Sequence, residues 1–196
     1  MLGDSDSAPD SEFRRTTLED YLEDDPDLSQ ALGWRLELVN RAQNCTSAAE
    51  TGCSHDGVTQ TSRALQAVPD TRIAVIRYGL NDAHFYLGTP TPEAVTKFRS
   101  AYQEIVELVV AHSAIPVGVA IQGEEDDAYD GGRAAINEAI EDLVEGYGLF
   151  VDPRISWGQN RNLFAPDGTH LDDDGQQVVA AAVEAALLDY LRTPLE

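Results

Sequence analysis

The sequence is poor in positive charge. It has 13 lysine and arginine residues against 35 aspartate and glutamate residues, Lys97 is its one lysine, and the net charge is −22. A chain with so few cations cannot build the basic surface that neutralises phosphates, so nucleic acid is excluded as a partner. The excess of acid is typical of a solvated, repulsive surface, and it also fits adaptation to high salt.

Long apolar runs are absent as well. No stretch of eighteen apolar residues occurs, so the sequence predicts no integral membrane segment. A chain of 196 residues with 42% hydrophobic residues is long enough to bury a proper core. We therefore predict a single globular domain over residues 1–196, whose oligomeric state the composition does not indicate.

Cysteine is scarce too. Cys45 and Cys53 are the only two, and their spacing does not match a metal-binding motif, so we expect no metal site there. Two alternatives stay open: both are free thiols, or they form a disulfide that closes a short loop. A disulfide would require an oxidising compartment and would favour a secreted or periplasmic protein.

Hydrophobic periodicity alternates between strand and helix along the chain. Strands are predicted at 35–40, 72–78, 115–121 and 149–151. Longer helices are predicted at 58–67, after Thr91-Pro92, from 132 to 145 and at 174–191, with short ones at 17–22 and 28–32 separated by Pro26. This alternation predicts a parallel sheet within an α/β sandwich.

Polar motifs follow several of these strands. Gly79-Leu80-Asn81-Asp82 comes directly after the strand at 72–78, and Asp167-Gly168-Thr169-His170 lies beyond the strand at 149–151. Ligands of such sheets bind at the carboxyl ends of the strands. Near the start of the chain, Gly3-Asp4-Ser5 supplies a serine, which becomes a nucleophile once a base such as histidine takes its proton.

The motifs Gly3-Asp4-Ser5, Gly57, Gly79–Asp82 and Asp167–His170, in this order, resemble the blocks of the SGNH (GDSL-type) hydrolases. The resemblance spans nearly the whole chain. It implies a flavodoxin-like three-layer α/β/α sandwich and a serine esterase that hydrolyses small carboxylic esters without metal or organic cofactor, through an acyl-enzyme. The expected partner is a small ester substrate, with acetyl esters on carbohydrate among the candidates.

The same resemblance implies a role for each residue. Ser5 would be the nucleophile, His170 the base and Asp167 the carboxylate that orients the imidazole. The Ser5 N–H, the Gly57 N–H and the Asn81 side-chain amide would form the oxyanion hole. Asp167 could alternatively be only a local turn cap. A flavodoxin-like non-catalytic binding protein and an inactive relative of the hydrolases are the rival interpretations.

The start of the chain departs from the family pattern. Only Met1 and Leu2 precede Gly3, whereas relatives usually have a five- or six-residue apolar strand there. We therefore expect a first strand that is very short or truncated. A missing central strand would leave its neighbours unpaired and expose apolar surface.

Overall fold

A computed structural model describes residues 1–3, 17–23, 25–33, 37–43, 45–49, 53, 55–84, 90–122, 130–157 and 163–193. The predicted nucleophile, Ser5, lies outside the described residues. Within them, no helix combines the length and apolar character needed to cross a membrane.

The strands predicted at 72–78, 115–121 and 149–151 are present, whereas residues 37–40, the described part of the strand predicted at 35–40, lie outside the strands. The strands are β1 (Leu2–Gly3), β2 (Thr46–Ser47), β3 (His55–Asp56), β4 (Ile73–Arg77), β5 (Ile115–Val119) and β6 (Leu149–Val151). The helices are α1 (Leu18–Leu22), α2 (Pro26–Leu32), α3 (Gly57–Ala67), α4 (Leu80–His84), α5 (Pro92–Ala111), α6 (Asp130–Val144), α7 (Arg154–Trp157) and α8 (Asp173–Arg192).

The main sheet is parallel, with β1, β4, β5 and β6 as neighbours in that order. Residues 39–43, here called the edge segment, extend it on the far side of β1. The Arg41 N–H donates to the Met1 carbonyl at 2.9 Å and the Gln43 N–H to the Gly3 carbonyl at 3.1 Å. The spatial order is then edge segment, β1, β4, β5 and β6. If these five are numbered along the chain, this is the order 2-1-3-4-5 of a flavodoxin-like sheet.

The first strand is as short as the sequence indicates. β1 has two residues, Leu2 opposite Ile76 and Gly3 opposite Arg77 of β4. It bridges β4 and the edge segment, so both of its edges are paired, and Leu2 is only 3% exposed. Leu2 and Gly3 thus lie in the sheet between β4 and the edge segment.

Alternate side chains of the strands enter two separate cores. Ala74 and Ile76 pack with α3, α5 and α6, while Val75 packs with α1, α2 and α8. This alternation follows from the two-residue period of a strand. It gives the three-layer sandwich that the sequence predicts.

Some local expectations were wrong. Pro26 does not merely end the first short helix: it opens α2, and the Asp25 side chain caps that helix by accepting the Leu28 N–H at 2.8 Å. Pro fits the first turn because its missing N–H has no partner there. Of the two alternatives left open for Cys45 and Cys53, the structure shows no disulfide between them.

Candidate active site

The loop before α8 brings Asp167 and His170 into direct contact. Asp167 Oδ2 lies 2.6 Å from His170 Nδ1, and Asp167 Oδ1 accepts the N–H groups of Thr169 and His170, each at 3.0 Å. Gly168 has a φ of 71°, a left-handed conformation that glycine adopts without strain. One carboxylate thus both caps the turn and faces the imidazole, so the two roles considered for Asp167 are compatible.

The contact determines how the pair is protonated. A carboxylate only accepts hydrogen bonds, so the proton of a neutral His170 ring sits on Nδ1 and the lone pair on Nε2. Burial by itself raises the pKa of Asp167. The hydrogen bonds from the His170 ring and from the Thr169 and His170 N–H groups outweigh it, and the pKa lies below its ordinary value. Asp167 is therefore ionised at neutral pH and can stabilise an imidazolium.

Backbone pairing holds this turn against the core. The Ala165 N–H donates to the His170 carbonyl at 2.8 Å, and the Asp172 N–H donates to the Leu163 carbonyl at 3.0 Å. Leu171, which follows the histidine, is completely buried. The histidine side chain is 17% exposed, so it is anchored through its backbone while its ring remains reachable from solvent.

The end of β4 carries the second motif. Gly79 has a φ of 130°, and a Cβ there would meet Ile136 at 2.7 Å, so only glycine fits this approach to α6. The chain then turns into α4, whose first turn holds Asn81. The Asn81 side-chain nitrogen donates to the Thr46 carbonyl of β2 at 2.9 Å, which fixes the plane of the amide.

Asp82, the next residue, is completely buried. Its two carboxylate oxygens accept the N–H groups of Ala48 at 2.9 Å and Ala49 at 2.8 Å. Asn81 and Asp82 together therefore fasten residues 46–49 to α4. This agrees with a structural role for Asp82, which braces the loop beside Asn81.

We expect ionisation of Asp82 to lower the free energy of unfolding. Burial raises the pKa of Asp82 to about 6, and hydrogen bonds from the Ala49 and Ala48 backbone only partly offset it. In the unfolded chain this carboxyl loses its proton at about pH 4. The free energy of unfolding therefore falls by roughly 3 kcal/mol as the pH rises from about 4 to about 6. Urea unfolding between these pH values should show the wild type losing stability relative to Asp82→Asn. A constant difference between the two proteins would contradict this.

Gly57 packs against the same segment, residues 46–49, that Asn81 contacts. It is the first residue of α3, after the N-cap Asp56. A Cβ at Gly57 would lie 3.0 Å from the Ser47 carbonyl oxygen and 3.3 Å from the Ile105 side chain. Tight packing therefore accounts for the glycine. Thr46, which accepts from Asn81, and Ser47, which lies against Gly57, are adjacent residues of β2.

Among the described site residues, Asp167 and His170 are in direct contact. Gly57 and Asn81 each lie against β2, Gly57 at the Ser47 carbonyl and Asn81 at the Thr46 carbonyl. β1, which leads towards Ser5, ends at Gly3 on the same carboxyl edge of the sheet as the end of β4.

Sequence reasoning missed two backbone features of this region. Thr46 is the acceptor of Asn81, and the preceding Cys45 has a φ of 49°, in the left-handed region that glycine favours. No short motif marks either residue.

A cavity of about 480 Å³ lies between the edge segment and α3. Arg41, His55 and Arg63 contribute to its lining, whereas Gly57, Asn81, Asp167 and His170, the predicted site residues that the structure describes, do not. Among the residues that the structure describes, no cluster of three or more His, Cys, Asp or Glu side chains is arranged to hold a metal ion.

Residues 1–178 match the profile of the GDSL-like Lipase/Acylhydrolase family. The chain belongs to this family. As a GDSL-like acylhydrolase it is an SGNH-type hydrolase, and its general reaction is ester hydrolysis. The rival interpretation of a non-catalytic, flavodoxin-like binding protein does not agree with this membership.

Solved structures share the fold of this GDSL-like hydrolase at low sequence identity. The lipase/acylhydrolase from Enterococcus faecalis has a TM-score of 0.72 at 14% identity, covering 100% of this chain and 97% of its own. The psychrotrophic esterase EstA from Pseudoalteromonas sp. has 0.65 at 16%, covering 98% and 97%. Est24, a carbohydrate acetylesterase from Sinorhizobium meliloti, has 0.64 at 13%, covering 96% and 97%. A comparison with curated protein sequences gave no significant match.

Proposed function

We propose that this hydrolase is a serine esterase that uses Ser5, His170 and Asp167 as a catalytic triad. The observation that supports it most is the 2.6 Å contact of Asp167 with His170 Nδ1, because it leaves the lone pair of a neutral ring on Nε2. A base in that state can take the proton of a serine hydroxyl.

The reaction then proceeds in two halves. Ser5 Oγ attacks the ester carbonyl carbon as its proton passes to His170. The tetrahedral intermediate expels the alcohol, which takes that proton, and an acyl group remains on Ser5. Water attacks this acyl-enzyme with His170 again acting as base, and the carboxylic acid leaves. Every proton that moves is carried by one imidazole, so no metal or organic cofactor is required.

The oxyanion formed in each half would be bound by the Ser5 N–H, the Gly57 N–H and the Asn81 amide. An amide nitrogen has two hydrogens. One of those on Asn81 is bound to the Thr46 carbonyl at 2.9 Å, so the other has a fixed direction. Preorganised donors of this kind stabilise the transition state because they need no reorientation during the reaction.

The proposed role of the Gly57 N–H as an oxyanion donor can be tested with two variants that both add a Cβ. Gly57→Pro removes the N–H, whereas Gly57→Ala keeps it. Proline is tolerated at the first position of a helix, and Asp56, with φ −102° and ψ 125°, already has the extended conformation that precedes proline. We expect kcat/KM of the proline variant to be about 10²-fold below that of the alanine variant. Equal values would exclude the Gly57 N–H as an oxyanion donor.

The substrate that we propose is a small acyl or acetyl ester, with acetylated carbohydrate among the candidates. The net charge of −22 repels anionic lipid surfaces and favours small or neutral substrates. The shared fold with Est24, a carbohydrate acetylesterase, supports acetyl esters. Hydrolysis of a short-chain aryl ester by the wild type and by Ser5→Ala tests the proposed mechanism.

A further inference from the structure

A charged residue is buried beneath the His170 loop. Arg77, the last residue of β4, is 1% exposed. It lies two positions after Val75, which packs on the α8 side of the sheet, so its side chain points to that side as well. A guanidinium removed from water is strongly destabilising unless hydrogen bonds satisfy it. The hydrogen-bond partners of Arg77 therefore indicate the role of this buried charge.

Two of those partners are neutral amides. Arg77 Nη1 donates to Gln176 Oε1 of α8 at 3.2 Å, and Arg77 Nη2 donates to Gln122 Oε1 at 3.0 Å. Both glutamines are fully buried, at 0% and 1% exposure respectively. An amide oxygen that accepts from a cation has its own N–H groups polarised, which makes them stronger donors.

The side-chain amide of Gln122 donates to the loop that carries His170. Its Nε2 donates to the Thr169 carbonyl at 3.1 Å. Thr169 directly precedes His170, and its N–H is one of the groups held by Asp167. Gln122 therefore connects a buried cation at the end of β4 to the peptide that carries the base. Gln176 contacts the same guanidinium from α8.

We propose that Arg77 and Gln122 are positioning residues that hold the Thr169 carbonyl and thereby set the position of His170. The proposal rests on His170 being the catalytic base. Displacing a reacting group by about 1 Å can lower a rate about 10²-fold, so this anchor should affect turnover much more than substrate binding.

Two isosteric variants separate positioning from a merely structural role. Gln122→Glu and Gln176→Glu each place one carboxylate on the Arg77 guanidinium. Only Gln122→Glu removes the hydrogen that Thr169 receives. We expect Gln122→Glu to lower kcat for a short-chain aryl ester by about 10- to 100-fold, with KM changed by less than about threefold. Gln176→Glu should keep kcat within about threefold of the wild type.

Thermal melts of both variants accompany the kinetics. If Gln122→Glu does not fold, Gln122→Asn replaces it, because its amide is one methylene too short to reach both partners. Equal kcat in the two glutamate variants, whether unchanged or lowered alike, would overturn the proposal. His170→Ala is assayed in parallel: if it remains active, the proposed triad fails, whereas an inactive His170→Ala beside a fully active Gln122→Glu refutes the positioning role alone.

Discussion

Ser5→Ala should reduce kcat/KM for a short-chain aryl ester by about 10⁴-fold or more, while the protein remains folded. The reason is that no acyl-enzyme can form without the hydroxyl. His170 and the oxyanion donors would still be present, so a small residual rate above the uncatalysed reaction is expected.

The N-terminal segment offers a matched control for this variant. Ser7 lies two residues further along, and Ser7→Ala makes the same chemical change without removing the proposed nucleophile. Ser7→Ala should retain the wild-type rate. Full activity of a folded Ser5→Ala would reject Ser5 as the nucleophile, and loss of activity in Ser7→Ala instead would transfer that role to Ser7.

Changes to the Asp167–His170 pair should have the second largest effect. His170→Ala removes the base and should lower kcat by about 10⁴-fold or more. Asp167→Asn keeps an oxygen that can accept the Thr169 and His170 N–H groups but loses the charge that faces Nδ1. An imidazole without that carboxylate is no longer held in the required tautomer, and we expect kcat to fall by about 10³- to 10⁴-fold.

Asp172→Asn is the control for the charge change. Asp172 caps α8 by accepting the Gly175 N–H at 2.9 Å, and asparagine caps a helix equally well. This variant should therefore keep the wild-type kcat and melting temperature. If Asp167→Asn proved as active as Asp172→Asn, Asp167 would be a turn cap without a part in catalysis.

The sequence predicts most of the layered fold because periodicity is a local signal. Five apolar residues of α5 at helical spacing are buried, among them Phe98 and Val109, and the helix begins with Thr91 and Pro92 as expected. The edge segment is harder to predict: a strand is expected at 35–40, but the pairing involves residues 39–43, because it is held by hydrogen bonds to the distant β1. Pairing of this kind leaves no pattern within a short window of sequence.

The same distinction applies to the site. The contact between Asp167 and His170 arises within one four-residue turn, so the motif itself predicts it. The bond from Asn81 to Thr46 joins residues 35 positions apart, and that from Gln122 to Thr169 spans 47. The sequence shows Arg77 as the one charged residue of β4. Its contacts with Gln122 and Gln176 can be identified only from the folded structure.

Covalent labelling with a fluorophosphonate tests the proposed nucleophile most directly. The probe phosphonylates a serine whose hydroxyl is activated, and peptide mass analysis then identifies the modified residue. We predict a single adduct per chain, on Ser5, that is absent when His170 is replaced by alanine. A folded wild-type protein that remains unlabelled, or that is labelled on another serine, would contradict the triad of Ser5, His170 and Asp167.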